Sequence, residues 1–79
     1  MTITAVQIRG ARAMLGMLQT ELAEAAGITK KALTSIETGA SQPREATVAR
    51  LRAVLEEAGA VFIESDAGIG VMVKRPTDS

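Results

Sequence analysis

A chain of 79 residues with no His, no Cys and a net charge of zero is one small domain without a disulfide or a thiolate metal site to hold it. It also lacks the commonest general base, the commonest metal ligand and the best thiol nucleophile, so neither an enzyme nor a cofactor or metal site is expected. Uninterrupted stretches of apolar residues and Gly, such as Ala13 to Leu18 and Ala67 to Val73, fall far short of the ~20 residues of a membrane span, and no signal-peptide pattern opens the sequence. The expectation is a soluble, cytoplasmic protein that starts at its own initiator Met and has no membrane partner.

The chain reads as helices followed by strands. Thr4 and Gln7 stand three apart, as a capping box requires. The apolar positions Val6, Ile8, Ala11, Met14 and Leu15 then fall on one broad face, which predicts a first helix over Ala5 to Gly16. A short second helix is predicted over Gln19 to Ala26, with Leu22, Ala23 and Ala26 inward and Gly27 ending it. Thr29 caps a third, Lys30 to Thr38, which stops at Gly39, and Ala40 to Arg44 has the composition of a loop. Glu45 to Ala58 resumes helical spacing through Val48, Ala49, Leu51, Val54 and Leu55, and Gly59 closes it.

After Gly59 the pattern switches to strands. Ala60 to Glu64 and Val71 to Lys74 read as a β-hairpin around a turn-like Asp66 to Gly70. One expected arrangement puts Val61, Ile63, Val71 and Val73 on the local core and offers Phe62 and Met72 to a partner; the other is the reverse. Apolar groups on both faces favour a buried dimer sheet. The domain plan is thus a helical unit over residues 1–59, an expected dimerisation hairpin over 60–75 and a flexible tail over 76–79.

Hydrophobic content of 47% overstates the core, because fourteen of those residues are Ala and Phe62 is the only aromatic. Self-association is the remaining way to stabilise so small a chain. Charge is polarised as well. Residues 1–52 carry seven cations against four carboxylates, and residues 53–79 carry two against five. A basic helical part therefore precedes an acidic end.

The informative segment is Gln19 to Thr38, which places helix, tight Gly turn and helix in 20 residues. That geometry lets one helix cross a nucleic-acid backbone while the next enters the groove. At about 100° per residue, Lys30, Lys31, Thr34, Ser35 and Thr38 occupy one arc of the third helix, and Thr29, Ala32, Leu33, Ile36 and Glu37 the remainder. The first arc offers only donors and hydroxyls and carries no carboxylate that phosphate would repel. A solvated surface is the ordinary meaning of one exposed Lys; a whole arc of this kind inside this motif points to duplex DNA.

The run Leu15-Gly16-Met17-Leu18-Gln19-Thr20-Glu21-Leu22-Ala23, with Gly27-Ile28-Thr29, Ile36-Glu37-Thr38-Gly39 and Pro43-Arg44, resembles the Xre or lambda-repressor-like (Cro/C1-type) family of helix-turn-helix regulators. The resemblance spans about Thr4 to Ala58. It implies a mainly α bundle, here of about four helices followed by a C-terminal β-hairpin in place of the usual fifth helix. It implies that Thr29, Lys30, Lys31, Thr34 and Ser35 touch base edges, and that Gln19, Thr38, Ser41 and Arg44 contact phosphates, Gln19 also buttressing the reading helix. Arg12 and Glu37 match a structural ion pair of such domains. Leu18 departs from the family's usual polar N-cap, a loss worth ~1 kcal/mol.

The function expected is a sequence-specific transcriptional regulator, such as a phage or mobile-element repressor, that binds an inverted-repeat operator as a homodimer. Val61, Phe62, Ile63, Val71, Met72 and Val73 are its expected dimerisation residues. The alternative is an antitoxin or anti-activator whose main partner is a toxin or activator protein, with DNA binding serving autoregulation.

Overall fold

Capping chemistry decides where the first helix begins and ends. The computed structural model describes residues 2–75, and α1 spans Ala5–Leu15. Thr4 Oγ1 accepts from the Gln7 N–H at 3.3 Å, and Gln7 Oε1 accepts from the Thr4 N–H at 2.9 Å. The predicted box is therefore closed on both sides, and donors that a helix start leaves bare are satisfied. Gly16 stops the helix at φ 68°, a conformation that costs any side chain with a Cβ. The expected tail over 76–79 lies outside the described residues.

The next three helices follow the same local logic. α2 spans Gln19–Ala26 and ends at Gly27, φ 74°. α3 spans Lys30–Glu37, its first turn capped by Thr29 Oγ1, which accepts from the Ala32 N–H at 3.0 Å. α4 spans Glu45–Glu57. Helices α1, α3 and α4 each end one residue before the predicted boundary, because Gly16, Thr38 and Ala58 serve as caps. Leu18 offers α2 no side-chain acceptor, but Glu21 Oε1 accepts from the Leu18 N–H at 2.8 Å and supplies the other half of a box.

One core unites the helices. Ile8, Leu22, Leu33, Leu51 and Leu55 are fully buried, joined by Ile3 from ahead of α1 and by Ala60 and Phe62 from the strands. The inward face of α1 is narrower than expected: Val6 and Met14 are 59% and 56% exposed, and Gln7 is buried instead. Ile8, Ala11 and Leu15 set the seam, and Val6 lies about 200° round the helix from Ile8. Arg52 spans the surface of this core, its guanidinium 5.6 Å from the Phe62 ring centroid and its Nε 2.9 Å from Glu56 Oε2.

The hairpin is longer and its turn tighter than the sequence suggests. β1 (Ala60–Ser65) pairs antiparallel with β2 (Gly68–Val73), so the turn is only Asp66 and Ala67. Gly68, Ile69 and Gly70 belong to a strand. This register decides which side chains share a face. Phe62 pairs with Val71 and Ala60 with Val73, and these face the helices; Val61 pairs with Met72 and Ile63 with Gly70, and these face outward. Neither expected grouping is right, since Phe62 goes with Val71 and Val73 while Met72 goes with Val61 and Ile63.

Helix α1 carries the hairpin on its back. A Cβ at Gly10 would lie 3.3 Å from Val71 Cγ1, so a larger residue there requires the Val71 side chain to give by a few tenths of an ångström. Gln7 Nε2 donates to the Gly70 carbonyl at 2.8 Å and to the Ile63 carbonyl at 3.3 Å. One amide thus caps a helix and tethers the strands. Among the described residues, no helix is long and apolar enough to cross a membrane.

Candidate nucleic-acid interface

The α2–turn–α3 unit is held by small residues and two buried branches. Ala23 is 2% exposed where α3 crosses it, and the Ile28 N–H donates to the Ala23 carbonyl at 2.9 Å, closing the turn through Gly27. Leu33 and Ile36 bury the inner side of α3. Arg50 of α4 adds a clamp that the sequence did not reveal, its Nε donating to the Ala26 carbonyl at 2.9 Å. That carbonyl is one of the acceptors a helix end leaves unpaired.

Burying that side leaves the other to water. Thr29, Lys30, Lys31, Thr34 and Thr38 are exposed and Ser35 is half-buried. The only carboxylate of α3, Glu37, points the opposite way and is 1% exposed. Its charge is matched at once: Arg12 Nε and Nη2 donate to Oε2 and Oε1 at 2.7 and 3.0 Å, a two-pronged bond. Gln19 Nε2 donates to Glu37 Oε1 at 2.9 Å. Arg9 Nη1 donates to the Glu37 carbonyl, and Arg12 Nη1 to the Met17 carbonyl at 3.1 Å. Together these bonds lock α3 to α1 and α2 from behind, while its outward arc keeps an undiluted cationic and hydroxyl character.

Gln19 sits between these layers. Thr34 Oγ1 lies 3.0 Å from the Lys30 carbonyl and 3.4 Å from Gln19 Oε1, both acceptors for its one hydrogen. Gln19 therefore braces α3 with both ends of its amide. The hydroxyl of Thr34 is turned back on the helix, which leaves its methyl as the group it can offer.

The loop after α3 folds back over the helix end. Ala40 and Ser41 N–H groups donate to the Ser35 carbonyl at 2.9 and 3.2 Å, and Thr38 Oγ1 approaches the same carbonyl at 3.3 Å. This brings Ser41 and Arg44 across an open groove from Thr29, Lys31 and Ser35. Lys30, Thr34 and Gln19 are not on that groove; they form the opposite flank of α3. Gln42 and Thr47 complete the groove and were missed, since a loop Gln and a Thr on the first turn of α4 carry no signal of their own. Among the described residues, no cluster of His, Cys, Asp or Glu could hold a metal ion.

Comparison with known proteins agrees with this geometry. A family model described as helix-turn-helix matches residues 8–59, well over half of the chain. Among curated proteins, none matches the chain.

Proposed function

Since the chain belongs to the Xre/Cro/C1-type helix-turn-helix family and is a DNA-binding transcription regulator, we propose that it reads specific duplex sequences by inserting α3 into the major groove. The observation that supports this is the outward face of Lys30, Lys31, Thr34 and the half-buried Ser35, from which the only carboxylate of α3 is turned away. Lys30 and Lys31 donate to guanine N7 and O6, and the Thr34 methyl meets a thymine methyl, each good pairing discriminating by ~1 to 3 kcal/mol. Thr29 and Ser35 complete the base-reading set.

Phosphates hold the helix in place. Ser41, Arg44, Thr38 and Gln19 grip the backbone on either side of the groove, a term that is independent of sequence and sensitive to salt. Two copies act together, their α3 helices about 34 Å apart in successive major grooves of an inverted repeat. The work is done in the cytoplasm, on the DNA itself, and needs no cofactor.

Fluorescence anisotropy with Lys31→Ala and Arg44→Ala tests the division of labour. Lys31→Ala loses preference for the specific site over random duplex. Arg44→Ala weakens both alike and, by leaving one phosphate without its cation, lowers the slope of log K against log salt by about 0.9. Indistinguishable behaviour of the two variants contradicts the assignment.

A further inference from the structure

We propose that a second copy of this chain docks edge to edge on β2, so that two hairpins make one four-stranded antiparallel sheet with its two-fold axis at Val71. This rests on the dimeric reading above and names the surface that makes it. Alternation within the hairpin identifies the open groups. With a two-residue turn, the pairs Ser65–Gly68, Ile63–Gly70 and Val61–Met72 exchange hydrogen bonds, and the Lys74 N–H continues the series by donating to the Gly59 carbonyl at 2.9 Å. The N–H and C=O groups of Ile69, Val71 and Val73 therefore point away from β1, and among the described residues the sheet has no third strand to receive them.

β2 is the edge without protection. Its sequence Gly-Ile-Gly-Val-Met-Val holds no charge and no Pro, and its ladder has no bulge; these are the usual devices against strand addition. β1 carries Glu64. The exposed apolar residues gather on the β2 side too. Ile69 and Met72 are 50% and 49% exposed. Val6 and Met14 stand one helical turn before and after Gly10, the residue seated under Val71, and are more exposed still. Among the described residues, two of the six large exposed hydrophobics thus lie on β2 and two more on α1, either side of the glycine beneath it, a gathering that marks an interaction surface.

Antiparallel pairing about Val71 is complementary in size and charge. Gly70 comes opposite the second copy's Met72, twice by symmetry, so the largest outward side chain of β2 meets the position with none. Ile69 comes opposite the second copy's Val73. The cationic strand end, Lys74 and Arg75, comes beside the other copy's turn, which carries Asp66. A symmetric interface satisfies each of these pairs two times over.

Sedimentation equilibrium and a designed cross-link test the surface. The wild-type chain is a dimer at micromolar concentration. Ile69→Lys, which puts a charge on the edge in both copies, raises the dimer dissociation constant about 100-fold, with an unchanged circular-dichroism melt of the monomer. Ile63→Lys, outward on the other strand, sediments as wild type. Gly70→Cys combined with Met72→Cys, in a chain that has no other Cys, oxidises to a covalent dimer, because a non-hydrogen-bonded cross-strand pair has Cα atoms about 4.5 Å apart. A dimer that Ile63→Lys dissociates and Ile69→Lys does not, or a dimer that fails to cross-link, overturns the β2 edge and leaves the dimeric reading standing. A wild-type monomer removes the dimeric reading itself, and this surface with it.

Discussion

Glu37→Gln isolates the charge that locks the reading helix from behind. The substitution keeps the volume of the side chain but removes its charge and one of two acceptor oxygens. Glu37 accepts from Arg12 Nε, Arg12 Nη2 and Gln19 Nε2 at 2.7, 3.0 and 2.9 Å, with its own side chain 2% exposed. Removing one partner of a buried ion pair costs about 3 to 5 kcal/mol, because the other is left uncompensated. The Arg12 side chain retains 22% exposure, so water recovers part of that loss and the lower end, about 3 kcal/mol, is expected. A domain of this length has a total stability of about 4 to 12 kcal/mol. At about 4 to 8 °C per kcal/mol, the melting temperature falls by about 12 to 24 °C. Thermal and urea unfolding at one fixed protein concentration measure it. Adding Arg12→Met to Glu37→Gln removes the orphaned cation, so the double variant loses less than the sum of the two singles. A single-variant loss under about 1 kcal/mol, or strict additivity, refutes the view that this pair holds α3 in place.

Three further substitutions probe the supports of the site. Leu18→Ser supplies α2 with the N-cap acceptor it lacks; because Leu18 is 63% exposed, little packing is lost and urea unfolding shows a gain of about 0.5 to 1 kcal/mol. Gln7→Ala opens the α1 capping box and releases the Ile63 and Gly70 carbonyls together. It costs about 2 to 3 kcal/mol, and hydrogen exchange quickens in the hairpin more than in α3. Arg50→Ala frees the Ala26 carbonyl and costs about 1 kcal/mol by the same unfolding assay.

The helix ends were legible because their causes are local. Thr4 with Gln7, Gly16, Gly27 and Thr29 each act within one turn of their own position, and so the sequence places the boundaries to within a residue. The outward arc of α3 was legible for a related reason: Leu33, Ile36 and Glu37 occupy the complementary arc of an eight-residue helix, and burying them turns the rest to solvent. The hairpin was harder to read. Gly68 and Gly70 have turn composition, yet the ladder to β1 and the Gln7 tether keep them in a strand. Since a change of one residue in register flips every side chain, the two faces were mixed. Long-range partners were hidden as well. Nothing near Gln7 or Arg50 in sequence announces the Gly70 or Ala26 carbonyl each one bonds, 63 and 24 residues away.

In vitro selection of bound duplexes from a random pool, with the purified chain as bait, tests the central claim most directly. If the exposed side of α3 reads base edges, successive rounds enrich an inverted repeat with half-site centres about 10 base pairs apart, and Lys31→Ala erases the enrichment. A pool that keeps its starting composition through every round, while still being retained at low salt, shows a protein that holds phosphates without reading bases and contradicts the account.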